Sequence, residues 1–348
     1  MRIAVFIRRL DSPGGAEQSM QTLKNHLEED HEVRKFSLID ENSSGSKAFD
    51  LPLPRQKKIL GGYLEGMNRK EELEEFKPDL ILAQHELAYL GAKYVQKNDA
   101  EMIYFLRDYE NLYDERFYGR YKIDAAANYI TSFLTERFTR KILESSVEVI
   151  ANSNYLGKRY EEYYGIETET VYPFVDLKDY RVEETGDKIL HVNPTEEKGI
   201  DLTLEVAERM PEKEFIVAGT TKKEEIKDRM EELENVEHLG YVDMKKAYRQ
   251  AKIALVPSKW AEPYGRIPIE AGASGIPVVA TSNGGLPESV GNQELLVDSE
   301  DPEEFVGKIR EVEENYDKFS EKAKKNSEEK SQEKQLEKFE EIMNRAAE

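Results

Sequence analysis

At 348 residues the chain is too long for one ordinary core and about right for two domains. Its 71 Asp and Glu against 50 Lys and Arg give a net charge of -21, and such a surface repels nucleic-acid phosphates, so no nucleic-acid partner is expected. Cysteine is absent and the five histidines are not paired at metal-ligand spacing, which excludes disulfides, thiolate metal sites and a cysteine nucleophile.

Short apolar runs alternate with amphipathic stretches along the whole chain. "IAVFI" (Ile3–Ile7) reads as a first strand rather than a signal peptide, and "SPGGAEQSM" behind it opens a helix with Ala16, Met20, Leu23 and Leu27 on its buried face. The segment Asp40–Lys58 reads as a long loop. Further strands are expected at Asp79–Ala83, Met102–Leu106 and Val147–Ala151. After the polar link Asp176–Lys188 a second series follows: Lys188–Val192, Glu214–Gly219, Ile253–Pro257, Pro277–Thr281 and Glu294–Val297. Continuous apolar strands separated by helices predict parallel sheets covered on both faces. The fold class is therefore α/β, with two Rossmann-like doubly wound domains facing a cleft. The boundaries are residues 1–178 for an N-terminal domain and 186–315 for a C-terminal one. Residues 316–348 form a helical tail that returns to the N-terminal domain. Phe319, Leu336, Phe339, Ile342 and Met343 read there as a thin apolar stripe on a solvated helix.

In open α/β sheets ligands bind at the carboxyl ends of the strands. Gly14 and Gly15, after the first strand, let a ligand approach the backbone, and the helix behind them offers N–H groups to an anion. Lys198, before Gly199, can reach a phosphate, although a solvated lysine among glutamates is the simpler reading of position alone. The stretch "SKWAEPYGRIPIEAGASG" carries Glu262 in a loop and Glu270 about two turns into a helix, so the two carboxylates meet different parts of one extended ligand. Carboxylates accept from vicinal hydroxyls of a sugar or ribose. Backbone N–H groups from Tyr264 through Gly265 and Arg266 to Ile267 suit a diphosphate, and the Arg266 guanidinium would add a charge-assisted contact.

"EPYGRIPIEAGASGIPVVATSNGGLPE" resembles the signature of the retaining glycosyltransferases of family 4, which have the GT-B fold and carry E-x7-E, matched by Glu262 and Glu270. The resemblance extends over most of the chain through "SPGGAEQSMQTLKNHLEEDHEV", "EKGIDLTLEVAERMPEKEFIVAG" and "VEHLGYVDMKKAYRQAKIALVPS". It implies sugar transfer from a nucleotide-diphosphate sugar, UDP- or GDP-linked, with retention and without a metal or other cofactor; the chain has no D-x-D motif. By resemblance Glu270 would bind ribose hydroxyls, Glu262 would contact the donor sugar, and Lys198 would stabilise the departing phosphate. Gly14 and Gly15 would lie beside the diphosphate, with base recognition near Gly219 and Tyr241. Where the family has a Gly-Arg pair this chain has Asn193 and Pro194, with Arg266 as the compensating cation. Where the family has a catalytic histidine it has Arg107 and Asp108, and Arg107 or His85, which ends the preceding strand, is the candidate for that catalytic role. Arg107 could instead hold an anionic sugar or acceptor.

The acceptor is expected to be a glycan, glycolipid or glycoprotein. Tyr104–Lys122 is dense in aromatic residues and arginine, suited to sugars or simply to packing, and Leu51–Lys70 is locally basic, suited to peripheral membrane contact. The expected location is the cytoplasm, at the inner face of the membrane if the acceptor is lipid-linked. The competing reading is a degenerate partner subunit that binds nucleotide-sugar with little transfer of its own, motivated by the missing arginine and histidine.

Overall fold

The computed structural model describes residues 1–9, 15–39, 55–109, 112 and 125–346. These form two compact units, one of Met1–Phe174 with Leu336–Glu348 and one of Val175–Gln335. Each is built on a six-stranded, all-parallel sheet.

In the first unit, β1 (Arg2–Arg9) leads to α1 (Gly15–Leu27) and β2 (Glu32–Ile39). Helices α2 (Arg55–Gly66) and α3 (Lys70–Phe76) precede β3 (Leu80–Gln84). Then come α4 (Ala88–Val95), β4 (Glu101–Leu106), α5 (Ala125–Glu144), β5 (Glu148–Ala151), α6 (Asn154–Tyr164) and β6 (Glu169–Thr170). The sheet order is β2-β1-β3-β4-β5-β6. Side chains alternate across it, as strand geometry requires. One face holds Ile3, Val5, Leu80, Leu82, Ile103, Phe105 and Ile150, packed with Met20, Leu23 and Leu27 of α1. Residues on the other face, among them Phe6, Ile81, Met102 and Tyr104, are equally buried. The loop expected through Lys58 turns helical at Arg55. On α1 the predicted face holds at Met20, Leu23 and Leu27, while Ser19 is buried and Ala16 only half-buried. Tyr104, Phe105 and Tyr109 are core residues, and the remainder of the aromatic stretch to Lys122 lies outside the described residues apart from Leu106–Asp108 and Leu112. Of Leu51–Lys70, the first four residues also lie outside them; Tyr63 is buried and Leu64 exposed.

The second unit runs β7 (Lys188–Val192), α7 (Ile200–Arg209), β8 (Phe215–Ala218), α8 (Glu224–Glu232), β9 (Val236–Gly240), α9 (Met244–Tyr248) and β10 (Ala251–Val256). It continues through α10 (Ile267–Gly272), β11 (Val278–Thr281), α11 (Leu286–Val290), β12 (Leu296–Val297), α12 (Pro302–Glu314) and α13 (Tyr316–Glu329). The sheet order is β12-β11-β10-β7-β8-β9. Among the described residues no helix is long and apolar enough to cross a membrane.

The tail is not a solvated helix with a thin stripe. Phe319 on α13 belongs to the core of the second unit. On α14 (Gln332–Ala346), Leu336, Phe339, Ile342 and Met343 belong to the core of the first. Their i, i+3, i+6, i+7 spacing sets one face against the sheet, so few apolar residues suffice when all of them are buried. Phe339 is 0% exposed and stacks on Phe105 with 5.8 Å between ring centroids. His26 Nε2 lies 2.6 Å from Glu340 Oε1, and Arg345 pairs with Glu148 and Glu169. Phe339→Ala is predicted to cost the first unit about 3–5 kcal/mol. Hydrogen exchange of the β1 and β4 amides measures this, and a loss below about 1 kcal/mol would show that the helix is not part of that core.

Candidate functional site

The site in the second unit forms where the ends of β7 and β10 are locked together. A single helical turn, Glu196–Lys198, follows β7 and ends at Gly199 in the left-handed region (φ +74°). A Cβ at Gly199 would stand 1.9 Å from the Pro257 carbonyl oxygen, so only glycine lets the turn lie on the end of β10. The Glu197 carbonyl accepts from the backbone N–H groups of Lys259 and Trp260, at 3.0 and 3.1 Å, and fixes the two segments in register.

That register delivers Lys198 to Glu262. Their ammonium and Oε1 form an ion pair in which the carboxylate side chain is 9% exposed and the lysine 33%. Ser258 Oγ, fully buried, lies 3.0 Å from the same oxygen. The Glu262 backbone is clamped as well. It bridges Gly284, and its carbonyl accepts from Gly285 N–H at 2.7 Å. A Cβ on Gly284 would fall 2.3 Å from that carbonyl oxygen, which accounts for the glycine in "SNGG".

Glu270 stands one turn into α10, 6% exposed. Arg266 Nε is 3.1 Å from its Oε1, and Tyr248 donates its hydroxyl to Oε2 at 3.2 Å. Burial raises the Glu270 carboxyl above its ordinary range, with Arg266 and then Tyr248 pulling it back. The Tyr248 hydroxyl is held well above its usual pKa, first by burial and then by the Glu270 charge, so it stays a donor. Arg266 also donates to Tyr180 Oη at 2.8 Å. Arg266, expected to reach a diphosphate, is thus committed to Glu270 and Tyr180: α10 starts at Ile267, which sets residues 266 and 270 one turn apart. Tyr264 is buried beside it, while Gly265 and Ile267 are half-buried.

Asn193 adopts φ +66°, the conformation a glycine takes freely and asparagine next most readily. Pro194 beside it carries no charge. His191, 1% exposed at the end of β7, holds this turn. Its Nδ1 lies 2.8 Å from Thr203 Oγ1 and its Nε2 3.4 Å from the Asn193 carbonyl oxygen. Burial pushes the imidazole down to about 4. Gly219 N–H donates to the Gly240 carbonyl at 2.7 Å, and Tyr241 beside it is 87% exposed.

In the first unit, His85 and Arg107 end the neighbouring strands β3 and β4. His85 is buried at φ +56°. The Arg107 guanidinium is 4.8 Å from the Phe105 ring and donates to Met20 Sδ at 3.3 Å. Burial lowers it to about 10, so it remains charged at neutral pH. Gly15 is the first residue of α1; Gly14 lies outside the described residues.

Solved structures of GT-B glycosyltransferases share this architecture. Anabaena HepE in complex with UDP superposes with a TM-score of 0.77 at 18% identity, covering 99% of this chain and 100% of that one. Residues 13–179 match the Glycosyltransferase Family 4 family and residues 176–330 match Glycosyl transferases group 1. The two matches together span nearly the whole chain, which belongs to these GT-B glycosyltransferases. An uncharacterized 42.6 kDa protein in the cps region of Klebsiella pneumoniae is 26% identical over 316 residues, 79% of this chain and 83% of that protein. A D-inositol 3-phosphate glycosyltransferase of Corynebacterium jeikeium is 49% identical over 61 residues, 17% of this chain and 14% of that protein.

Sequence reasoning singled out Lys198, Glu262 and Glu270 but missed Ser258, Tyr248, Tyr180 and His191. Ser258 had a usable signal, being the first hydroxyl beyond an apolar strand. The others act through contacts that leave no local pattern.

His191 generates a pH prediction. Its folded pKa of about 4 lies below the ordinary 6.5, so its contribution is complete above pH 6.5 and is lost as pH falls through 4. The loss amounts to about 3 kcal/mol. Urea unfolding followed by the fluorescence of Trp260, the sole tryptophan, should show it in the native protein and not in His191→Gln. An identical acid slope in both would refute the assignment.

Proposed function

We propose that the protein is a retaining glycosyltransferase that moves a sugar from a nucleotide-diphosphate sugar, UDP- or GDP-linked, to a glycan, glycolipid or glycoprotein acceptor, without a metal. The observation that carries this reading is the Lys198–Glu262–Ser258 cluster, held at the carboxyl ends of β7 and β10. HepE, solved with UDP and with UDP-glucose, supports the donor class.

In this reading Lys198 supplies positive charge where the leaving diphosphate becomes more negative, a contribution that grows in the transition state. Glu262, fixed by its clamped backbone and by Lys198, accepts from a donor-sugar hydroxyl. Backbone N–H groups from Tyr264 to Ile267 take sugar hydroxyls and diphosphate. Glu270 takes ribose hydroxyls on the lone pairs that Arg266 and Tyr248 leave open, since an ionised carboxylate accepts at about four positions. Asn193, Gly219 and Tyr241 border the nucleotide base. His85 and Arg107 serve the acceptor. The leaving phosphate takes the acceptor proton on the same face, so no protein nucleophile is required. Transfer from a soluble donor places the reaction in the cytoplasm, with membrane contact through residues 51–70 if the acceptor is lipid-linked.

Thermal unfolding against UDP-, GDP-, ADP- and TDP-sugars tests the donor site. A bound donor at 100 times its Kd adds about 2.7 kcal/mol, a rise of several degrees. Glu262→Gln should keep that rise and lose transfer by at least about 100-fold. Glu270→Ala should lose the rise. Full transfer in both variants would remove these residues from the mechanism, and a donor-induced rise without transfer to any acceptor would favour the degenerate partner subunit.

A further inference from the structure

A groove of about 580 Å³ lies on the first unit, between α4 and α5. Its wall contains the stacked rings of Tyr89 and Phe138, 4.4 Å apart, and Phe133 stands at its rim, 58% exposed. Lys93, Arg137, Arg140 and Lys141 also line it, with Glu136 and Glu144. Lys97 is close enough to be felt electrostatically at Lys141.

The charge balance of this groove is unusual for the molecule. The chain has 21 more acidic than basic side chains, and on the same helix Arg140 is paired with Glu136 at 3.0 and 3.1 Å. Yet among the described residues no carboxylate forms an ion pair with Lys93, Lys97, Arg137 or Lys141. The Lys141 ammonium is instead pushed below its ordinary pKa, first by burial, then by the Lys93 ammonium beside it and the charges of Arg137 and Lys97. With Glu136 taken by Arg140, the basic side chains of Lys93, Arg137 and Lys141 line the groove against the carboxylate of Glu144, an excess of positive charge that an anion completes.

We propose that this groove is a second carbohydrate site, taking the carboxylates of a uronate-bearing glycan on Lys93, Arg137 and Lys141 and its sugar faces on the aromatic wall. Its position is distinct from the strand ends. Lys93 lies in the last turn of α4, whose first residues follow β3, and Lys141 lies in the last turn of α5, which leads into β5. Both ends approach the amino edge of the sheet. A concave groove of this volume suits a few sugar residues, whereas a bilayer would meet only its rim. In a uronate the carboxylate is bonded to the ring itself. A sugar resting on the exposed Phe133 ring therefore carries its carboxylate within reach of Arg137, one turn further along α5.

The choice of a glycan rests on the sugar-transfer reading, so the test omits nucleotide-sugar and does not depend on the donor site. Calorimetry with a galacturonate hexamer should show binding that weakens with salt, and maltohexaose should not bind. Lys93→Gln with Lys141→Gln should weaken the hexamer at least tenfold, and exposed Arg137→Gln several-fold. The double variant should melt no lower than the native protein, because removing like charges relieves repulsion. Failure of the hexamer to bind, or equal binding by the double variant, would overturn the proposal. So would a fall of several degrees in melting temperature, which would make the lysines structural. Retention on vesicles of 7:3 phosphatidylcholine and phosphatidylglycerol without hexamer binding would overturn it in favour of a membrane surface.

Discussion

The contact between Lys198 and Glu262 is the constraint on which the candidate site depends. A carboxylate that is 9% exposed is expensive to desolvate, and its attraction to a lysine repays the cost only when geometry is fixed. The structure fixes it three times over. Gly199 lets the turn approach Pro257, the Glu197 carbonyl ties that turn to the following loop, and Gly284 lets a second loop close on the Glu262 backbone. None of these devices is itself reactive. Each removes a freedom that would otherwise let the pair separate or swing into solvent, and together they hold a positive and a negative group where the strands end.

Glu270 is built on the opposite logic. It shares its helix with Arg266 and is met from another element by Tyr248. Burial outweighs both partners and raises its carboxyl pKa. The two glutamates of the signature are therefore not equivalent. One is gripped by a cation that remains one-third open to solvent, and the other is enclosed in a network with Tyr180 at its far end. A shared spacing in sequence conceals this difference, because the network's other members stand 22 and 86 residues from their partners.

What could be read from the sequence follows from burial. The apolar runs at β1, β3, β4, β5, β7, β8, β10 and β11 were all legible because these are the inner strands of their sheets, covered on both faces. The strands that went unread, β2, β6 and β9, are all edge strands. In "EVRKFSLI" and "VEHLG" charged residues interrupt the pattern because an edge strand is partly solvated, and β6 has only two residues. The same argument explains the tail. Its apolar residues are few, but every one of the five picked out is buried, and composition cannot distinguish a sparse stripe in solvent from a sparse stripe in a core. At the site, Glu262 was legible because its loop sets it apart from ordinary surface charge, whereas Lys198 stood out only through the family resemblance. The commitment of Arg266 to Glu270 was not, since a four-residue spacing on a short helix predicts both a pair and a free cation at its first turn.

The cause of a charge perturbation separates candidate chemistry from surface pairing. Glu294 is pulled down to about 2, a larger displacement than most, but Lys318 and Lys322 produce it at the surface, where the carboxylate side chain is 41% exposed. Such pairs are satisfied and screened, and they contribute little. Glu270, Arg107 and His191 are instead displaced chiefly by loss of water, toward their neutral forms. A fold bears that cost where something else requires the group to be there. For His191 the requirement is visible as the turn leading to Lys198. For Arg107 it is the end of β4, where the guanidinium rests on a ring and a methionine sulfur and, among the described residues, pairs with no carboxylate. The Glu17 charge nearby offsets part of that cost, so the guanidinium stays ionised at neutral pH with little water around it.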